Sequence, residues 1–181
     1  MLIDAVSKTL KRYLLAAYPE TTEWVEIASP PAETGESWPT SKLVLFLYAI
    51  DEESHLRNVG LRRTADGFEQ PPLHLVLHYL VTFSSANHEE AQKRLERVLA
   101  AFHARPRLTA ADLEPELVPV VDSLTVRLRT MTTEELNRIW TALNQSMRLS
   151  LFYEVGVAPI PPLEVRRTAP VRELLDYEAP V

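Results

Sequence analysis

The longest apolar pattern in the chain predicts a buried strand. Every odd position from Leu73 to Phe83 is apolar, which gives one hydrophobic face at the period of a strand. The even positions mix apolar residues with His74, His78 and Thr82, so the second face is also at least partly covered. The pattern therefore indicates a central strand of a sheet.

An amphipathic helix is predicted directly after that strand. Asn87 is the expected N-cap, and Glu90, three residues later, completes a capping-box arrangement. Apolar residues then recur at helical spacing, at Ala91, Leu95, Val98, Leu99 and Phe102. The strand and the helix together, residues 70–102, form the unit around which we expect the domain to be built.

The rest of the chain alternates between helical and strand periods. Pro19 ends a first helix, and Thr132 with Glu135 forms a second capping box at the start of a third helix, whose expected buried stripe includes Trp140. Asp66–Gly67 favours a hairpin within residues 57–70. The remaining strands are expected at 24–28, 42–50, 123–129 and 147–157, an acidic turn at 51–54, and a linker with one short helical turn at 106–119.

These elements predict an α+β fold. We expect a mostly antiparallel, mixed sheet of about five or six strands, packed against about three helices that cover one of its sides. A chain of 181 residues fits one domain of ordinary size. We assign residues 1–158 to that domain and residues 159–181 to a proline-punctuated C-terminal arm, which either packs on a neighbouring subunit or frays.

Charge and composition exclude several classes of protein. The formal net charge of −6 argues against broad binding to nucleic acid or to an anionic membrane. The absence of cysteine excludes a disulfide framework and a thiolate metal site. No apolar run has the length of a membrane span, and the first residues lack the layout of a signal peptide.

The main candidates for catalytic or metal-binding residues are His74 and His78. On a helix this HxxxH spacing would suit a metal, but on a strand it places the imidazoles roughly 13 Å apart, too far for one ion. None of the nucleophile-elbow, phosphate-loop, dinucleotide or zinc-protease motifs is present. We therefore assign no catalytic, metal or cofactor residue, and the enzyme alternative is a small hydrolase that uses His78 with a loop carboxylate.

Two predicted strands carry polar residues that would be neighbours if the strands pair. Arg127 and Arg129 lie on one strand, and Arg148 and Glu154 lie on the other. These side chains are candidates for a binding surface. The alternative is an ordinary solvated face of an antiparallel sheet.

Four stretches, in this order, carry a family resemblance: TLKRYLLAAYP, LVLFLYAIDEESHLRNVGL, PPLHLVLHYLVTFSSANHEEAQKRLERVLAAFHARP and LTVRLRTMTTEELNRIWTALNQSMRLSLFYEVGV. The chain resembles the N-terminal domain of the cap, or tail-terminator, proteins of extracellular contractile injection systems of the antifeeding-prophage and Photorhabdus virulence cassette type. The matching stretches extend from about Leu10 to Val157.

The resemblance implies a structural protein rather than an enzyme. Members of this family form a six-fold ring on the inner tube, at the end distal to the baseplate, where they halt tube growth and anchor the last sheath ring. The implied partners are further copies of the chain, the inner-tube protein and the sheath protein, with no nucleic acid, membrane, small-molecule substrate or cofactor. The implied location is the cytoplasm during assembly and then the injection particle.

A ring requires contact surfaces between subunits. The candidate residues lie in the 57–63 loop, on the predicted sheet face and in the arm: Arg57, Asn58, Arg62, Arg63, Arg127, Arg129, Arg148, Leu163, Val165, Leu174 and Tyr177. The competing interpretation outside the enzyme class is a monomeric adaptor that binds a peptide at an exposed strand edge.

Overall fold

The computed structural model describes residues 1–20, 22–29, 41–53, 62–64, 67–69, 73–85 and 87–160. These residues contain three helices and eight strands, which in chain order are α1 (Leu2–Ala17), β1 (Val25–Ile27), β2 (Lys42–Glu52), β3 (Arg62–Thr64), β4 (Gly67–Glu69), β5 (Leu73–Ser84), α2 (His88–Ala104), β6 (Arg107–Thr109), β7 (Ser123–Leu128), α3 (Thr133–Ala142) and β8 (Ser150–Ile160).

Six of the strands form one mixed sheet in the order β1-β2-β5-β8-β7-β6. The β1–β2 pair is parallel and the other pairs are antiparallel. The remaining two strands, β3 and β4, pair with each other as a separate hairpin. The predicted α+β class, the central position of β5 and the hairpin are therefore confirmed, although Asp66 of the predicted turn lies outside the described residues.

Several strand boundaries differ from the predicted ones, and one strand was not predicted. Asp51 and Glu52 belong to β2 rather than to a turn, because the ladder between β2 and β5 continues to the pairs Asp51–Val76 and Glu52–Leu75. The expected linker contains the edge strand β6, which is too short to show a period. Strand β8 begins at Ser150 rather than at residue 147, and it continues to Ile160, two residues beyond the predicted end of the domain.

The larger core lies between one face of the sheet and the helices α1 and α2. Leu10 and Leu14 of α1 and Val98 of α2 are almost completely buried there, against Leu77 and Tyr79 of β5. The apolar residues of α1 and α2 recur at the helical period, and those of β5 recur at the strand period. Each element therefore has one apolar face, and these faces pack against each other. Burial of each leucine contributes about 1.5–3 kcal/mol to folding.

Helix α3 packs on the opposite face of the sheet, so the expectation that the helices cover one side is wrong. Trp140 of α3, only 2% exposed, forms a second cluster with Val44, Leu80 and Phe152. These three strand residues lie on neighbouring strands at paired or diagonal positions of that face. Because they are apolar, this face also needs a cover, and α3 provides it.

The start of α2 differs in detail from the predicted capping box. The Asn87 side chain accepts hydrogen bonds from the backbone N–H groups of Glu89 and Glu90, as expected for an N-cap. The Glu90 carboxylate, however, accepts from the Ser85 hydroxyl at 3.1 Å, and the Ser85 oxygen accepts from the Asn87 backbone N–H at 3.0 Å. A serine therefore mediates the second half of the predicted box. At α3, the Thr132–Glu135 capping box is confirmed.

A charged cluster joins α2 to the segment that follows α1. The Glu20 carboxylate accepts hydrogen bonds from Arg94 and Arg97, each at 2.5 Å. The Arg94 guanidinium also lies over the rings of Trp24 and Phe83, with 5.4 and 5.7 Å to the ring centroids. The Arg94 hydrogen bond is the largest cause that holds the pKa of Glu20 below its ordinary value.

The second core can be tested at Trp140. We expect Trp140→Ala to lower the free energy of unfolding by about 3–5 kcal/mol, because it removes the largest side chain between α3 and the sheet. Urea-induced unfolding measures this quantity. The matched control is Asn137→Ala, an exposed position on the same helix, which should change it by less than about 0.5 kcal/mol. Equal effects of the two substitutions would contradict the packing of α3 on the sheet.

The Glu20 cluster makes a pH-dependent contribution. A carboxyl whose pKa falls on folding stabilises the protein above its unfolded pKa, and this stabilisation is lost as the pH falls through the folded pKa. We expect Glu20→Gln to cost about 1 kcal/mol at pH 7, and the difference from wild type to shrink progressively below about pH 4.3. The control is Glu96→Gln, because Glu96 has no ion pair among the described residues; the interpretation fails if the effect of Glu20→Gln is independent of pH.

Candidate assembly surface

Helix α3 covers only part of its face of the sheet. Next to the covered pair Leu80–Phe152, the paired positions His78–Glu154 and Glu154–Arg127 continue across β5, β8 and β7. We call this uncovered part the open sheet face, and define it by Asp51, His78, Arg127, Arg129 and Glu154. Here the predicted polar residues Arg127 and Glu154 of neighbouring strands meet.

Arg129 links the open sheet face to the start of α3. Its guanidinium lies 3.3 Å from the Glu135 carboxylate and 3.8 Å from that of Glu154. Glu135 is also the acidic member of the α3 capping box, and its hydrogen bond from the Thr132 backbone is the first cause that lowers its pKa. Arg129 is therefore partly committed to holding α3 on the sheet.

Arg127 has a different environment, although it is only two residues away. Its side chain is exposed, and its Nη2 atom lies over Gly156, 3.7 Å from the position that a Cβ atom would occupy there. No ion pair of Arg127 is found within the described part of the chain. Arg129 follows the last residue of β7, and Arg127 lies within the strand. Of these two predicted arginines, Arg127 is thus the one available to an outside partner.

His78 is the most buried polar residue of the open sheet face, with 5% of its surface exposed. Its Nε2 atom is 2.9 Å from the Asp51 carboxylate, and its Nδ1 atom is 3.9 Å from that of Glu154. Neither nitrogen makes a hydrogen bond of good geometry, so the short distance to Asp51 is a close contact and not an aligned hydrogen bond. The Tyr48 ring, 5.9 Å away, packs beside the imidazole.

This environment is not that of a catalytic base or a metal ligand. A general base must be within reach of a substrate, whereas His78 is packed beside Tyr48 in the sheet. Among the described residues, no group of three histidine, cysteine, aspartate or glutamate side chains is placed to hold a metal ion. The hydrolase alternative requires an open pocket at His78, whereas only 5% of the surface of this residue is exposed.

Arg148, the third predicted arginine of this surface, does not join it. It precedes the first residue of β8 and lines a small depression of about 230 Å³ together with Phe83, His88 and Leu149. The predicted alternation began too early, because the chain at Met147 and Leu149 is not in the strand. Those two side chains are 59% and 46% exposed.

The other predicted contact residues are only partly described. Arg62 and Arg63 lie in β3 of the separate hairpin, where they pair with Glu69 and Phe68. The remaining six lie outside the described residues and stay predictions: Arg57, Asn58, Leu163, Val165, Leu174 and Tyr177.

The structure also contains an apolar groove that the sequence pattern did not reveal. It lies between α2 and β7, has a volume of about 590 Å³, and is lined mainly by apolar side chains, including Leu99, Val126, Leu128 and Tyr153. Leu99 belongs to the predicted apolar face of α2 and Leu128 to the predicted strand 123–129, yet they are 37% and 54% exposed. No signal in the sequence distinguishes them from their buried neighbours, because both continue the apolar period of their elements.

A family model described as the Pvc16 N-terminal domain matches residues 5–173 of the chain. The chain belongs to the Pvc16 N-terminal domain family. A comparison with curated proteins finds no match. Among the helices of this Pvc16 domain that the structure describes, none is long and apolar enough for a bilayer crossing.

Two solved structures are similar to this Pvc16 domain. One is a PVC sheath/tube terminator of an extracellular contractile injection system in its extended state, with a TM-score of 0.66 and 21% identity over 99% of this chain and 64% of that chain. The other is the tube-terminating cap of the anti-feeding prophage, with a TM-score of 0.56 and 23% identity over 96% of this chain and 58% of that chain.

These comparisons confirm the predicted family and the predicted similarity to terminator folds. At such identities the likeness to the two structures shows the fold. This chain covers less than two thirds of the length of either similar chain.

A structural role for His78 can be tested by an apolar replacement. We expect His78→Leu to leave the free energy of unfolding unchanged or slightly higher, because neither ring nitrogen makes an aligned hydrogen bond that would be lost. The matched control on the same strand and face is Thr82→Val, which removes a hydroxyl that donates to the Leu149 carbonyl at 2.9 Å and should cost about 1 kcal/mol. A loss above about 2 kcal/mol for His78→Leu in urea unfolding would contradict this interpretation.

Proposed function

We propose that this protein is the structural cap, or terminator, of a phage-tail-like contractile injection system. It ends growth of the inner tube and anchors the last ring of the sheath. The observation that carries the proposal is the match of residues 5–173 to the Pvc16 N-terminal domain, together with a fold similar to that of a sheath/tube terminator and a tube-terminating cap.

The proposed working form is a six-fold ring of identical subunits at the end of the tube. A closed ring needs one surface on each subunit that meets a different surface on the next. The partners are then other copies of the chain, the inner-tube protein and the sheath protein, with assembly in the cytoplasm before the cap becomes part of the particle. The negative net charge supports a particle that handles no nucleic acid.

The proposed contact surfaces are peripheral to the two cores. On the open sheet face, Arg127 is exposed and has no ion pair among the described residues. A charge of this kind at an interface favours the correct partner and the correct register more than it adds affinity. We assign contacts with subunits or with the tube to the residues predicted from the sequence: Arg57, Asn58, Arg62, Arg63, Arg127, Arg129, Arg148, Leu163, Val165, Leu174 and Tyr177.

The proposal assigns the protein no enzymatic activity. Its support is the packing of His78 beside the Tyr48 ring and the identity of the two similar structures as a terminator and a cap. The sheet instead offers rigid faces and edges, which suit a protein whose role is to fix the positions of other subunits.

The test is electron microscopy of particles assembled with and without this protein. We expect particles that lack it to have inner tubes of variable length and sheaths that are incomplete or detached at the end distal to the baseplate. Supplying the wild-type protein should restore a uniform length. Tubes of normal, uniform length with intact sheaths in its absence would exclude the terminator function.

A complementation arm separates the structural role from an enzymatic one. His78→Leu removes the imidazole that the hydrolase alternative needs, at a position where we expect the fold to tolerate it. This variant should restore uniform tube length as well as the wild type does. If it is folded and yet fails to restore the length, the imidazole has a role that the cap proposal does not include.

A further inference from the structure

Strand β7 has a free edge at its C-terminal end, among the described residues. It pairs with β6 through residues 123–125, and the Val126 N–H donates to the Pro106 carbonyl at 2.7 Å. Beyond Val126, no strand among the described residues pairs with this side of β7. The Arg129 N–H donates to the Phe152 carbonyl, on the β8 side. The backbone groups of successive residues in a strand face opposite neighbours. The N–H and C=O groups of Leu128 therefore face away from β8, toward the free edge.

One side of this free edge borders the apolar groove. Leu128 itself lines the groove, together with Leu99 of α2 and Tyr153 of β8. The exposed fractions of Leu128 and Leu99 mean that both side chains would lose water contact if another apolar side chain entered. The gain on burial is about 25 cal/mol per Å² of apolar surface.

The other side of the same edge carries arginines. Arg127 and Arg129 point to the face opposite Leu128, because side chains alternate along a strand, and Arg107 pairs with Thr125 and so lies on the same face. An extended segment that pairs with β7 would therefore have every second side chain against the apolar groove. The side chains between them would lie beside the positively charged arginines.

The C-terminal arm contains a segment with the complementary alternation. In residues 174–179, the sequence is LLDYEA. Leu175, Tyr177 and Ala179 occupy one set of alternate positions, and Asp176 and Glu178 occupy the positions between them. As an added strand, this segment would place its apolar side chains in the groove and its carboxylates beside the arginines of β7.

We propose that the free edge of β7 binds residues 174–179 of a neighbouring copy of this chain as an added strand. The proposal rests on the proposed ring, in which the arm of each subunit contacts the next. Residues 161–173 join Ile160, the last residue of β8, to the segment and can span roughly 40 Å when extended. That length is about the width of a globular domain of this size, so the segment can reach an adjacent subunit.

An arm that leaves one surface and docks on a different surface of the next subunit gives the heterologous contact that a ring needs. It also covers a strand edge that would otherwise be free to pair with unrelated chains. The contact thus assigns a partner surface, the apolar groove, to the predicted arm residue Tyr177.

Engineered disulfides test the docking, because the chain has no cysteine of its own. In the full-length variant Leu128→Cys plus Leu175→Cys, mild oxidation during assembly on tube ends should give a ladder of covalent oligomers on a non-reducing gel, ending at the size of the closed ring. The matched control pairs Leu175→Cys with Met147→Cys, a side chain that is 59% exposed on a different part of the surface. The control should form at least tenfold less oligomer.

Two results would overturn the proposal. Equal cross-linking of the test pair and the control pair, or none, would show that the segment does not dock at β7. A cross-linked species that runs only as a compact monomer would place the segment on its own subunit. Failure of the docking and failure of the terminator function can be distinguished, because tube length is measured separately from cross-linking. Tubes of uniform length without a ladder of oligomers would reject the docking alone. A ladder together with uncapped tubes would reject the cap function alone.

A charge exchange gives an independent measurement. Arg127→Glu should reduce the cross-linking rate roughly two- to fivefold, the size of effect expected for an exposed ion pair, and Glu178→Lys should reduce it similarly. The two substitutions together should restore the rate toward that of the parent pair. The control exchange Lys93→Glu, at an exposed residue of α2, should have no effect, and additive losses in the double variant would contradict the pairing.

Discussion

Coverage of strand β5 on both faces is the constraint on which the rest of the structure depends. One face packs against α1 and α2 through Leu77 and Tyr79, and the other packs against α3 through Leu80. On a strand buried on both sides, a polar group without a hydrogen bond is costly, and the ring nitrogens of His78 are in that position. The Tyr79 hydroxyl avoids this cost by its hydrogen bond with Ser7 at 2.8 Å, and burial raises the pKa of Tyr79 to about 12.

This constraint moves function to the periphery of the domain. The centre of the sheet is filled by side chains, and His78 is enclosed there between carboxylates and the Tyr48 ring. The surfaces that a partner could contact lie where the helices and the edge strand no longer cover the sheet. Helix α3 is too short to cover the whole second face, and β6 is too short to cover the whole edge of β7. In the proposed ring, a subunit that holds its neighbours in position would use this arrangement, with a rigid middle and free faces and edges.

Two arginines, Arg127 near the end of β7 and Arg129 just after it, serve different purposes. Arg129 is held by Glu135 and Glu154 and so helps to fix α3 on the sheet. Arg127 lies over Gly156, at van der Waals distance from the position that a Cβ atom would occupy there. A structural charge and an available charge are therefore neighbours on the face of the sheet opposite the apolar groove.

The helices, most of the strands and the family could be predicted from the sequence. The period of Leu73–Phe83 identified the central strand, and the Thr132–Glu135 spacing identified the start of α3, because both signals depend only on residues close in the chain. Only the tertiary structure decided which face α3 covers, that Leu99 and Leu128 stay half exposed, and that Ser85 joins the α2 cap. Those features depend on where separate elements stop relative to one another, and neither hydrophobic period nor local spacing records that position.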